Sequence, residues 1–196
     1  MCRRHLGDAG QAFPIYITVV AGLLFLAFAY LAVGQASVNR SGAQTAADAA
    51  ALAAAQNARE QLASMWVDDL LDPATWQDIF DGKPDIADPC WRAGQLAAQN
   101  DGHLDDCRPL PPRKYKAKVT TKKPVGDSVV PNTENIKSTA SAIAEIEPLC
   151  TFQLTDGADD DTLPPLDCDG KVWKLDPADR AELPKPEDLF DVHLVD

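Results

Sequence analysis

A charge-free window constrains this chain more than any other feature: from Ala12 to Ser37 there is no Asp, Glu, Lys or Arg. Its centre, PIYITVVAGLLFLAFAYLAVG, runs for about 21 residues, or roughly 32 Å as a helix, which is the thickness of a hydrocarbon core. A buried helix of a soluble protein would normally carry a polar stripe, and this run has none. Pro14 falls where a first turn tolerates it, and Tyr16 and Tyr30 lie near the two ends, where amphipathic rings prefer the interface. A cleaved secretory signal has an apolar core of about 7–15 residues followed by a small-x-small site. Ala32-Val33-Gly34 and Gly34-Gln35-Ala36 fit that site weakly, but the run is too long and the helical pattern continues through it. Cys2 precedes the run instead of following it, which argues against a lipoprotein. The expectation is a transmembrane helix over 13–34 after a cytoplasmic N-terminus over 1–12.

Charge sets the orientation. Arg3 and Arg4 are the only Lys or Arg residues before the window, so the short flank is expected to stay in the cytoplasm. Nearly all charge follows the window, 16 basic against 29 acidic residues (16 − 29 = −13) in a chain of net charge −12. Such an acidic exterior argues against nucleic-acid binding. Beyond the window Cys90, Cys107, Cys150 and Cys168 form an even set with no CxxC pair, which favours disulfides in an oxidising compartment over zinc or redox chemistry. Four cysteines allow three connectivities. Cys90–Cys107 and Cys150–Cys168 are preferred because each pair brackets a short local unit.

The segment after the window is about one-third alanine and has no proline before Pro73. Alanine is the best helix former, so the helix is expected to run on to Leu71, giving an alanine-rich stalk over 35–71. Arg40, Gln44 and Asp48 follow at four-residue spacing, with Gln56 and Glu60 further along. The other surface is small: Ala43, Ala46, Ala47, Ala50, Ala53 and Ala54. Small side chains let another helix approach closely, so this stretch reads as a packing surface with Asp48 at its polar edge. The plainer reading is a spacer.

Gly7-Asp8-Ala9-Gly10-Gln11-Ala12, the apolar run, Asn39-Arg40 and the string Ala43 to Ala55 (AQTAADAAALAAA) together resemble the N-terminal signature of TadE/TadG-like pilus-assembly proteins of the tight-adherence (Flp-type) machinery. The resemblance covers roughly residues 7–60, and a fainter one extends through Cys90, Asn100-Asp101-Gly102 and Cys107. It implies a membrane-anchored, pilin-like component that meets other pilus-assembly proteins through its N-terminal helix and has no catalytic residues. One departure concerns processing. Prepilins carry Glu five residues after the cleavage-site Gly, whereas here Ala12 follows Gly7 and Ile15 follows Gly10 at that spacing.

The outer domain, 72–196, reads as small α+β, stapled because its core is thin. Pro73 to Phe80 is a short helical turn, and Trp66 and Trp76 are packing anchors. Cys90 to Gln99 has helical composition and stops at Asn100-Asp101-Gly102. Lys114 to Thr121 alternates, with lysines on one face and Tyr115, Ala117 and Val119 on the other. Thr139 to Glu147 alternates too, and an antiparallel pair would set Glu145 and Glu147 opposite the lysines. Leu149 to Leu154, Lys171 to Leu175 and Asp191 to Val195 are further strand candidates.

Chemistry-bearing constellations are sparse. His5, His103 and His193 share no metal-ligand spacing, and there is no GxSxG, HExxH or phosphate-binding glycine loop. Asp156 to Asp161, with Asp167 and Asp169, invites a calcium reading. An EF-hand loop begun at Asp156 fails, because its third position is Ala158 and its sixth is Asp161. The run Arg113 to Lys123 holds six cations and no acid and reads as a solvated strand face, anionic polymer being the alternative. The chain is therefore expected to be no enzyme, with no cofactor, metal or small-molecule substrate. It reads as a structural component of a pilus or secretion assembly; the alternative is a free-standing envelope protein whose acidic domain binds a ligand or metal ion.

Overall fold

The computed structural model describes residues 12–124, 135–154 and 163–195. One unbroken helix, α1 (Ala12–Asp68), spans 57 residues. It ends three residues short of the expected Leu71, in a turn before Pro73. Then come α2 (Pro73–Phe80), α3 (Cys90–Gln99), β1 (Gly102–Leu110), β2 (Lys114–Thr121), β3 (Thr139–Pro148), β4 (Cys150–Thr151), β5 (Leu166–Cys168) and β6 (Lys171–Trp173). A 3-10 turn (Arg180–Glu182), α4 (Pro186–Leu189) and β7 (Phe190–Val195) close the chain.

Two antiparallel sheets form among the described residues. The larger has the order β1-β2-β3-β7, and the smaller β4-β5-β6. In β2 the alternation resolves as expected: Tyr115, Ala117 and Val119 are buried. Ala142, Ala144 and Ile146 of β3 continue that inner face. On the outer face Lys114 meets Glu145 at 2.9 Å. Glu147 has no lysine opposite; it faces Asp191 of β7.

The strand β1 lacks a clean alternating pattern. Its register slips between Leu104 and Asp106, and Asp105 and Asp106 both face solvent. A bulge of this kind hides a strand from period-two reading. Before it, Asp101 adopts a left-handed backbone (φ 55°) that ends α3, and the Lys122 amide donates to its carbonyl at 2.7 Å. At Gly102 a side chain would collide: an added Cβ would lie 2.5 Å from Val119 Cγ1 and 3.0 Å from Ala46 Cβ. The close approach of β1 to α1 therefore depends on this glycine.

The inner face of the larger sheet needs a cover, and α1 provides it. The helix packs on β2 and β3 and, along another side, on α3. Its far end joins an aromatic cluster. Trp66 lies 5.4 Å from Trp76, Trp76 lies 5.2 Å from Phe152, and Phe80 lies 5.5 Å from Phe190 (ring centroids). Trp66 and Trp76 are both fully buried, and Trp76 Nε1 donates to the Asp69 carbonyl at 3.1 Å.

Candidate functional site

The helix α1 has two surfaces in sequence. From Pro14 to Leu31 no residue is buried. Leu23, Phe25, Leu26 and Phe28 stand open on all sides, Phe25 with 73% exposure. An apolar surface of this extent requires a partner phase, and its length is that of a bilayer core.

From Ala43 onward the pattern inverts. Ala43, Ala46, Ala47, Ala50 and Ala54 are fully buried, as are Ala51, Ala55 and Ala58. Asp48 sits half-buried at the rim and accepts from Gln44 Nε2 at 2.7 Å. Arg40 stays exposed and makes no described contact with Asp48. The small residues thus admit close neighbours, but these belong to the same chain: β2, β3 and the Ala93–Ala97 face of α3. The segment 35–71, expected as an alanine-rich stalk, is in its outer half the core helix of the domain. The surface expected to receive a partner's helix is already covered. The physical reason lies in the thin core after residue 72, whose sheet carries Ala117, Ala142 and Ala144 on its inner face and closes upon a small helix face. Each buried methyl contributes about 0.8 kcal/mol, and several of them together seat the helix.

Between the two surfaces lies a junction that sequence reading quoted but gave no role. Asn39 Nδ2 donates to the Lys123 carbonyl at 3.2 Å. Asn39 Oδ1 accepts from the Ser138 amide at 3.2 Å and from Thr121 Oγ1 at 3.3 Å. One side chain thereby ties the end of β2 and the start of β3 to the helix. The available signal was position, a carboxamide five residues beyond the apolar run that ends at Gly34. Below it, Lys123 and Pro124 line a shallow groove with Tyr30, Leu31, Gly34 and Val38.

The cysteines are joined as Cys90–Cys107 and Cys150–Cys168. The first fastens the start of α3 to β1, and the second spans directly paired residues of β4 and β5. Arg3, Arg4, Cys2 and His5 lie outside the described residues, as does the acidic stretch Asp156 to Asp161. Asp169 and Gly170 both have positive φ (51° and 80°) and make the tight turn joining β5 to β6, with the Gly170 amide donating to Asp167 Oδ1 at 3.1 Å. His193, isolated in the sequence, gains neighbours: Glu147, Asp191 and His193 bring potential ligand atoms within 4.8 Å of one another. The imidazole Nδ1 contacts Asp191 Oδ2 at 2.9 Å, and the group sits on the solvent face of β3 and β7. A separate groove of about 650 Å³ is lined by Pro109, Pro111, Pro112 and Tyr115 and edged by Asp81, Asp85 and Asp88. Asp81 is held below the ordinary carboxylate range by hydrogen bonds from Lys83 and then Gln77.

The junction that joins the bare apolar half-helix to the buried alanine half-helix lies within a stretch that a family model matches. Residues 10–57 match the family model Tad, putative Flp pilus-assembly TadE/G-like. The TadE/G-like segment takes in the apolar span, Asn39 and most of the buried alanines, and it ends inside α1. It supports a role in Flp pilus assembly in general. Searches of curated proteins and of solved structures gave no match.

Proposed function

We propose that this chain is a membrane-anchored, pilin-like structural component of a Flp-type tight-adherence pilus or a related secretion apparatus, with its N-terminus in the cytoplasm and its α+β domain outside. The observation that carries the reading is the TadE/G-like match over residues 10–57, which falls on a helix divided into an exposed apolar half and a buried alanine half. A chain built this way presents a folded body at a fixed distance from the bilayer. Its role is positional, and it calls for no substrate or cofactor. The partner-facing surface is then the exposed half of α1 or the outside of the domain, because the alanine face is already used.

Deletion in the encoding bacterium tests the reading. Surface pili counted by electron microscopy, and surface adherence, should fall to background and return with the intact gene. Normal piliation in the deletion strain would refute it. Topology is tested separately in intact cells with an impermeant thiol reagent. After reduction, Cys90, Cys107, Cys150 and Cys168 should label and Cys2 should not; the reverse pattern would overturn the orientation.

A further inference from the structure

The loop end of the β2–β3 pair is placed to touch the membrane. We propose that Lys122, Lys123 and Lys137, together with Arg40, form a foot that seats the domain on anionic phospholipid headgroups. The proposal rests on the reading that Pro14–Leu31 spans the bilayer.

Direction comes first. β2 begins with Lys114 and Tyr115 beside Leu62, in the outer part of α1, and ends with Thr121 beside Asn39. The strand therefore descends along the helix toward the apolar span, and β3 starts from the same end. Asn39 lies eight residues past Leu31, about 12 Å along the axis, while the headgroup layer adds roughly 5–8 Å to each side of the hydrocarbon core. The chain then goes lower still: Lys123 and Pro124 share a groove with Tyr30 and Leu31, the last turn of the apolar window. The Asn39 hydrogen bonds to the Lys123 carbonyl, the Ser138 amide and the Thr121 hydroxyl hold this end at that height.

Charge comes second. Arg40, Lys122, Lys123 and Lys137 are all exposed. Asp101 is the acid that meets them among the described contacts, and only at 3.8 Å from Lys123 Nζ. Lys122 Nζ donates to the Ala98 carbonyl at 2.9 Å, which orients the ammonium without neutralising it. Ile136 beside Lys137 is an apolar side chain 52% exposed. The opposite end of the molecule is acidic, with Asp68, Asp69, Asp72, Asp78, Asp85 and Asp88 all exposed. The chain as a whole is net negative, so this cationic end differs in sign from the protein's overall charge. Long basic side chains on an apolar stem are suited to the headgroup layer.

The full chain, reconstituted in vesicles, tests the proposal. One set is phosphatidylcholine alone, and the other contains about one-third phosphatidylglycerol to supply the anionic surface. An impermeant amine-reactive ester labels exposed lysines, and mass spectrometry reads the rate at each site. The expected result is that Lys122, Lys123 and Lys137 label several-fold more slowly in the anionic vesicles, with Lys174 unchanged as an internal reference. Salt at about 1 M should restore the rates by shortening the screening length. Equal rates in both vesicle sets would overturn the proposal. Protection that appears only when pilus-assembly proteins are co-expressed would also overturn it, in favour of a protein surface. A chain that fails to float with either vesicle would instead refute the anchoring reading itself.

Discussion

The two halves of α1 share one uninterrupted backbone and obey opposite rules. In the first half large apolar side chains are bare: Phe25 is 73% exposed and Leu23 62%. In the second half the smallest apolar side chain, alanine, is sealed at eight positions from Ala43 to Ala58. Hydrophobicity per residue predicts the reverse. Shape explains the observed order. A lipid phase accepts bulky side chains at any angle, whereas a sheet and a second helix can approach only where side chains are short. On the proposed membrane reading, α1 is built for two solvents, and size, more than polarity, marks where one gives way to the other.

The sharpest way to break the comparison is to exchange the sizes. Ala47→Leu with Ala50→Leu should overpack the core and cost about 1–3 kcal/mol per site, lowering the melting temperature followed by near-ultraviolet circular dichroism in detergent. Ala27→Leu in the exposed half should leave that melting unchanged. If the double variant melts like the parent, the alanine face is not the core. Next in size, Cys90→Ser with Cys107→Ser opens a loop of sequence separation 17 and should cost about 3 kcal/mol, while flotation with vesicles stays intact. Loss of flotation would mean that the halves are not independent.

Asn39→Ala acts at the boundary itself. Losing its hydrogen bonds should cost about 1–2 kcal/mol, and the clearest readout is faster hydrogen exchange at the Ser138 amide. Glu145→Gln breaks the half-exposed pair with Lys114 and should change stability by about 0.2–1 kcal/mol, measured in a denaturant titration. The smallest effect is a pH dependence at the far end. Asp81 is lowered from its ordinary 3.8 mainly by the Lys83 hydrogen bond, so its contribution is present above that value and lost as pH falls through the lowered one. Lys83 is raised from 10.5 by Asp78 first and Asp81 second, so its contribution is present below 10.5 and lost as pH rises through the raised value. Lys83→Gln should flatten both shallow edges of a plot of melting temperature against pH.

The strongly periodic parts were legible. The long helix, the Cys90–Gln99 helix and the bounds of Lys114–Thr121 follow from alanine content, a turn signal and clean alternation. The disulfide pairs follow from local bracketing, and the structure carries the same pairs. Other elements left weak signals. β1 is bulged and carries Asp105-Asp106, so its alternation is broken. β5 is three residues long. The occupant of the alanine face was not legible, because a small face announces close packing without naming the neighbour. Lys–Glu pairing was half legible: Glu145 meets Lys114, but the arrival of β7 beside β3 gives Glu147 an aspartate and a histidine instead. That long-range neighbour could not be read from local pattern. The junction at Asn39 was missed for the same reason, since its partners lie more than 80 residues away.

The absence of any break in α1 makes the molecule a lever. Beyond Leu31 the helix continues for 37 residues to Asp68 (68 − 31), about 55 Å, with no proline or turn along that length. A tilt of about 20° in the span, ordinary for a membrane helix, would sweep the outer tip sideways by roughly 19 Å. The same gearing works in reverse, so a lateral push on the aromatic cluster around Trp66 is delivered as torque to the bilayer segment.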